Sequence, residues 1–584
     1  MRVDRRRPPG APRVYNRTIQ DFLRDLSAPV RRFWIAVVLT GALAGLAAAI
    51  FVQLLEVVQA LSWGNGGIHE ASEAAAHPVR RLIITTAAGV LVAGLAWAMR
   101  QPLSGHGTAG VIEAIWVTSG RLPLARTIVR GITSIVCVGM GASIGREGAL
   151  IQGGAAAGSS LGRRFGLSTD QVRLLVACGA SAGIAAAYNM PIGGTLFALE
   201  VLLGSFALEL FGPIVVSSVT ATLISRMLIF NHPTYEIPAY ELSLPRQLLL
   251  APLIGVVIGA ASALFVRVVD VSHATIARLP RRLVMVLPIV GMGMLGVIAV
   301  WWPQVLGNGY EAVNAELLGG LPLTLLLVLP FLKLAVTALC SSSGIPGGMF
   351  TPSLFYGALL GGAVGQIAQQ VLPAAGPPSA YALVGMGAAL AGTTHAALCA
   401  TVMIFELTGS YGVILPLMLA TVIATAVSRH LVPESLYTAP LRRRNVRLPE
   451  RPRPEWLGQT PARALVKPDA PRIEPTARFE EVLLRLYSLP AGHDLYVVGE
   501  RDRLLGVVAL DALKAHIADQ KNLSMVIAAD VMDTTIAPVG LDEPLSAVAK
   551  RFAETYLDKL PVVDGDRNLV GSIAASDVLR RGRF

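Results

Sequence analysis

The sequence predicts an all-α, polytopic membrane domain made of two internally repeated halves with broken and re-entrant helices, followed by a smaller α/β tandem domain. Composition is the first reason: of 584 residues, 53% are hydrophobic and only 15% charged, where a soluble chain carries about a quarter charged residues. The second is a repeat within the apolar part. The third is a separate, shorter repeat behind it.

The N-terminal segment 1–32 holds nine arginines against three acids, a bias that keeps such a segment cytoplasmic. The first apolar run lacks a small-residue cleavage motif and is longer than a signal-peptide core, so it reads as a span. Apolar segments follow at 33–62, 82–99, 128–140, 172–230, 247–268, 282–302, 321–340, 353–372 and 381–430. Several reach the roughly 20 residues a bilayer crossing needs, while others are shorter or are interrupted by Gly and Pro. The basic stretch "LRRRNVRLPERPRP" at 441–454 closes the membrane part, which is placed at 33–445 with a linker at 446–458. The expected location is a bacterial inner or plasma membrane, with both ends cytoplasmic. The net charge of +11 is assigned to this topology and to anionic headgroups. Nucleic acid is not an expected partner, because the arginines flank spans and no aromatic platform interleaves them. Cys137, Cys178, Cys340 and Cys399 lie in apolar stretches without CxxC spacing, which points to packing and away from disulfides or metal.

Laying "GASAGIAAAYNMPIGGTLFALE" (179–200) over "GMGAALAGTTHAALCATVMIFE" (385–406) aligns Gly179 with Gly385, Thr195 with Thr401 and Glu200 with Glu406 at an offset of 206. At an offset of 203, "GRE" at 145–147 falls on "GMF" at 348–350. Two halves with matching Gly-interrupted segments point to a transporter-type fold whose site lies at the repeat interface near mid-membrane. Whether the halves are inverted is not legible. In the tail, Leu495, Val497, Gly506 and Val508 each stand 65 residues before Leu560, Val562, Gly571 and Ile573. The surrounding pattern reads as helix, strand, turn, strand, helix, twice, over 459–520 and 528–584.

A helix that begins inside the membrane leaves its first N–H groups unpartnered and carries a partial positive charge there, which makes its start an anion site. Candidate starts are "SGHGTAG" at 104–110, "GREGALIQGG" at 145–154 and "GIPGGMFTP" at 344–352. A carboxylate at such a start competes for the anion's place. Glu147 is therefore a candidate gate, and the plainer reading, a first-turn acid paired with Arg146, stands beside it.

"GREGALIQGG" and "GGMFTP" resemble two diagnostic motifs of the CLC family of chloride channels and proton-coupled chloride transporters; "GHGTAG" occupies the place of a third, and "ESLYTAP" at 434–440 that of the segment bearing a pore tyrosine. The tandem tail resembles a pair of CBS domains. Carried over by position, the resemblance makes Glu147 the gating glutamate and Arg146 a support of the helix start. The anion would be held by backbone amides near Met349 and Phe350, by the Tyr437 hydroxyl, and by the first-half pair His106 and Gly107. It also implies a homodimer with one pore per subunit in a lipid bilayer, and chloride or similar small anions as substrate.

Three departures bear on mechanism. His106 stands where most members have a serine, and its imidazole or only its backbone N–H would face the anion. Val201 stands where proton-coupled members carry a second glutamate, which favours a passive channel and leaves chloride/proton exchange as the alternative; a fluoride-selective carrier is a third option. Glu200 and its mate Glu406 suggest helix-terminal or interhelical hydrogen bonds. In the tail, Asp511 and Asp577 occupy the acidic place of an adenine-nucleotide site, but Val508 and Ala574 replace the hydroxyl residue that precedes it. The tail is read as structural or dimer-forming, with a nucleotide as the alternative; no cofactor is required. An enzyme using Ser143 or Ser343 with His106 or His395 is not expected, because neither a GxSxG elbow nor an HExxH pair is present.

Overall fold

The computed structural model describes residues 28–64, 77–101, 103, 107–229, 235, 237–238, 248–372, 376–446, 461–489, 494–509, 513, 525–555 and 557–581. The chain divides into two compact units after Arg451.

The first unit is all helical. In the first half, α1 (Ala28–Trp63), α2 (Pro78–Ala98), α3 (Gly107–Trp116) and α4 (Leu124–Gly139) lead to α5 (Glu147–Arg164), α6 (Thr169–Tyr188), α7 (Pro191–Leu196) and α8 (Leu208–Leu228). The second half runs α9 (Leu250–Ile276), α10 (Arg281–Val284), α11 (Leu287–Trp301), α12 (Tyr310–Leu317), α13 (Leu323–Ser342), α14 (Phe350–Val371), α15 (Pro378–Thr394), α16 (Ala397–Thr408) and α17 (Ile414–Leu431), and ends in the short α18 (Ala439–Arg443). Seven helices among the described residues are long and apolar enough to cross a membrane. Leu39, Leu43, Leu46 and Ile50 recur along α1 with about half of each side chain exposed, the outward apolar face that a bilayer requires.

The apolar runs 172–230 and 381–430 each resolve into three helices. The breaks have local causes. Asn189 and His395 end α6 and α15 in the left-handed conformation, with φ of 56° and 59°, and Pro191 then opens α7 at a position where its missing N–H costs nothing. Beyond α7 the chain widens into a π-helical turn, Phe197–Leu203. Central α6 and α15 are built from Gly, Ala and Ser, which lets backbones approach closely in place of a large-side-chain core.

The second unit contains two three-stranded sheets of the same design. In one, β1 (Arg472–Ile473) lies parallel to β2 (Leu495–Val498), which pairs antiparallel with β3 (Leu504–Val508); in the other, β4 (Val539–Gly540), β5 (Lys559–Val563) and β6 (Leu569–Ala574) repeat the order. Val497 pairs with Gly506 and Val562 with Gly571, and each sheet slips register at the next residue. The helices α19 (Phe479–Ser488), α20 (Ala528–Val531), α21 (Leu545–Glu554) and α22 (Ala575–Arg581) complete an α/β pair. Tyr496 and Val507 share a core with Val539, Leu560 and Val562.

Candidate functional site

The two halves meet where their aligned glycines meet. Gly145 N donates to Gly348 O at 2.8 Å and Gly348 N to Gly145 O at 2.7 Å, an antiparallel bridge that leaves α5 and α14 starting side by side with opposed chain directions. Helix α3 joins them: a side-chain carbon on Gly107 would collide with the Gly148 carbonyl, and one on Gly148 would come within 2.8 Å of Gly347 O. Glycine is required at both positions because three helix starts are stacked backbone to backbone.

Glu147 opens α5 and is 1% exposed. Its carboxylate lies across the start of α14, not along its own helix. Oε1 accepts from Phe350 N at 2.6 Å and Thr351 N at 3.3 Å. Oε2 accepts from Tyr188 Oη at 3.1 Å and Thr351 Oγ1 at 3.2 Å. An acid from the first half thus occupies the anion-binding end of a helix from the second, where unpaired amides and the helix dipole favour negative charge. Chemically, a free anion and this carboxylate need the same donors, so each excludes the other.

Arg146 does not pair with Glu147. Its guanidinium donates to Ala187 O and lies over the rings of Tyr188, at 5.5 Å, and Tyr310, at 5.9 Å. Aromatic faces and one carbonyl offset part of the cost of burying this cation, whose Nε has no hydrogen-bond partner among the described residues, and the carboxylate is left to the amides and hydroxyls.

Met349 and Phe350 are buried beside this seat, with the Tyr188 and Phe350 rings 5.3 Å apart. Tyr437 is also buried, edge-on to Phe197 at 6.0 Å, and its segment is tied to α15 through Leu436 N and Thr393 O. Gly107 joins the cluster; His106 lies outside the described residues. Val201 sits in the π-helical turn, 3% exposed within the apolar core, and Trp116 Nε1 bonds the neighbouring Leu202 carbonyl. Glu200 accepts from Cys399 N at 2.6 Å, and Glu406 from Ile192 N at 3.1 Å and Gly193 N at 2.5 Å, so the expected helix-terminal bonds have a definite form.

Ser143 Oγ meets Thr337 Oγ1 and Ser343 Oγ donates to Cys340 O, so among the described residues these serine hydroxyls bond to Thr337 and Cys340 and not to a histidine. Asp577 is held by Lys467 at 2.7 Å within the tail, while Asp511 lies outside the described residues. The residues that sequence reasoning missed are Tyr188 and Thr351. Both lie inside segments with strong signals, and each is a polar side chain in an apolar run, the one clue available.

Residues 87–429 match the family described as voltage gated chloride channel, and residues 528–583 match the CBS domain. A relative from Ralstonia nicotianae, named putative chloride channel protein ClcB-like, is 39% identical over 404 residues, covering 66% of this chain and 92% of the relative. A slow cyanobacterial Cl-/H+ antiporter has a similar fold, with TM-score 0.64 and 24% identity over 71% of this chain and 98% of that one. A eukaryotic CLC transporter matches 94% of this chain and 98% of its own, with TM-score 0.60 and 19% identity.

Proposed function

The chain belongs to the voltage-gated chloride channel (CLC) family, with CBS domains behind its membrane part, and from that premise we propose that it carries chloride through a pathway within each subunit, gated by Glu147. The observation that carries the reading is the seat of the Glu147 carboxylate on the Phe350 and Thr351 amides. A group with the anion's charge fills the place where helix starts converge, and its withdrawal exposes donors aimed at a small anion. Amides near Met349 and Phe350, the Gly107 start and the Tyr437 hydroxyl would then line the site, with His106 at the first-half position. Arg146, held off the carboxylate by two rings, would add positive potential without binding the anion directly.

Two modes of transport fit, and neither outranks the other. Passive conduction is supported by Val201, an apolar side chain where proton-coupled members carry an acid, and by the channel name borne by the Ralstonia relative. Proton-coupled exchange is supported by a pathway that a single carboxylate occludes, with Glu200 adjacent to the apolar position. Fluoride in place of chloride has no support from the Phe350 region. We further propose a homodimer in the bacterial inner membrane, its apolar partner face drawn from α8 and α17, where Leu208, Leu415 and Val422 are exposed. The tail is proposed to be structural: Asp577 is engaged by Lys467, and Ala574 lacks the hydroxyl a ribose contact would use. A calorimetric titration of the full chain with ATP that releases heat would reverse that reading.

The test is simultaneous chloride and proton flux from purified protein in liposomes. Glu147→Ala should stay anion-permeable and lose its response to pH. An unaltered pH response would remove Glu147 from the gate. Uphill proton movement driven by a chloride gradient selects exchange; its absence selects the channel.

A further inference from the structure

We propose that Tyr188 and Thr351 form a hydroxyl latch that keeps the Glu147 carboxyl seated in both its ionised and its protonated form. The proposal rests on the reading of Glu147 as the gate and adds to it two side chains from different halves of the chain.

Three oxygens form a closed triangle: Tyr188 Oη to Glu147 Oε2 at 3.1 Å, Thr351 Oγ1 to Glu147 Oε2 at 3.2 Å, and Tyr188 Oη to Thr351 Oγ1 at 2.9 Å. A hydroxyl has one hydrogen to donate and can also accept. With the carboxylate ionised, two hydroxyl hydrogens serve three contacts, and one contact lacks a proton. Protonation of Oε2 supplies the missing hydrogen. The carboxyl then donates to Thr351, Thr351 donates to Tyr188, and Tyr188 donates back to Glu147, while Oε1 keeps its amides.

Backbone amides alone would behave differently. They only donate, so a protonated carboxyl seated on amides has a hydrogen with no acceptor and loses its hold. Hydroxyls beside Oε2 accept as well as donate, and no heavy atom has to move when the proton arrives. Protonation therefore opens this gate only at a more acid pH than a seat of amides alone would need. The titratable groups around the triangle are Arg146, Tyr188 itself, Tyr310 with the adjacent Glu311, Tyr235 and Tyr437. Arg146 donates to Ala187 O and lies over two rings without an ion pair to Glu147, so the hydroxyls and amides are the partners of the carboxyl.

The experiment measures initial chloride efflux from liposomes holding the full-length protein at neutral and acid pH. The variants are Tyr188→Phe, Thr351→Val, their combination, and Thr351→Ser, which retains a hydroxyl. Each is also made in the Glu147→Ala background. Each hydroxyl removal should raise efflux at neutral pH about tenfold, the effect of one hydrogen bond to a charged acceptor. The double variant should reach full activity at a less acid pH, Thr351→Ser should stay near wild type, and none should raise efflux once Glu147 is alanine, because the hydroxyls then serve the anion and no longer hold a carboxyl. Unchanged efflux in variants that fold and reconstitute normally overturns the latch. So does an equal rise in the Glu147→Ala background, which would place the hydroxyls on the pathway and not on the gate. Failure of the gate itself is read separately, from Glu147→Ala alone.

Discussion

The two halves of the membrane unit agree where they hold each other and differ at the junction where Glu147 sits. Gly193 and Cys399 are repeat mates at the offset of 206, and so are Glu200 and Glu406; Glu406 accepts from Gly193 N and Glu200 from Cys399 N, the same bond made in both directions. Helices α6 and α15 end in the same left-handed cap. At the junction the likeness stops: Glu147 faces its mate Phe350, and the π-helical turn of the first half is matched by the regular α16 of the second. Glu113 pairs with Arg444 at 2.8 Å, but its mate Glu316 is fully buried with neither carboxyl oxygen partnered among the described residues. Positions that set backbone approach are shared between halves, and positions that present chemistry have diverged.

The shared part breaks hardest at the helix crossings. Gly154 and Gly179 press together between α5 and α6, and their mates Gly357 and Gly385 do the same between α14 and α15; a side-chain carbon at any of the four meets a backbone carbonyl that has nowhere to go. Gly179→Ala and Gly385→Ala should each cost about 3 kcal/mol, and to a similar extent, in thermal unfolding of the detergent-solubilised protein. Gly94→Ala, where nothing lies within 4 Å, should instead be neutral or gain about 0.5–1 kcal/mol as a helix former. A large loss in one half only would end the claim that both crossings carry equal load.

The reciprocal acid bonds come next. Glu406→Ala leaves two amide donors of α7 without an acceptor, one at the buried Gly193 and one at the exposed Ile192, and should cost about 2 kcal/mol, with Glu200→Ala at about 1–2 kcal/mol. Glu200→Gln keeps an acceptor for its one amide and should lose less than half as much, and Glu406→Gln keeps an acceptor for one of its two amides and should fall between wild type and alanine. Equal loss from alanine and glutamine would mean that charge, not hydrogen bonding, is what these acids supply.

This division also accounts for what was legible in the sequence. The repeat, the tandem tail and the position of Glu147 are visible because close backbone approach leaves glycine at recurring offsets and because a carboxylate in an apolar run is conspicuous. The breaks within 172–230 and 381–430 were weaker signals, since a left-handed cap at Asn189 or His395 does not interrupt hydropathy. Tyr188 and Thr351 escaped for a different reason. Their contact spans 163 residues and joins opposite halves, and their own mates are Thr394 and Gly148, so no periodicity marks them. The unpaired burial of Glu316 is likewise a property of packing that its neighbours in the chain do not announce.

The smallest effect tests whether the same division extends to the tail. Asp564 closes the β5–β6 hairpin: Oδ1 accepts from Asp566 N and Asn568 N, and Oδ2 from Asn568 Nδ2. These bonds from Asn568 hold its carboxyl below the usual aspartate range. Its mate, 65 residues earlier, is Gly499, which has no carboxylate to titrate. A lowered folded-state pKa means that the stabilisation is present above the ordinary aspartate value and disappears as pH falls through the lowered one. Amide hydrogen exchange should therefore speed up at 564–568 on acidification, relative to 499–503, and Asp564→Ala should abolish that difference. Because Asp564 is exposed to solvent, the change should remain local and small. If both hairpins loosened together with acid, the turn carboxylate would not be the cause, and the two tail repeats would be alike where the two membrane halves are not.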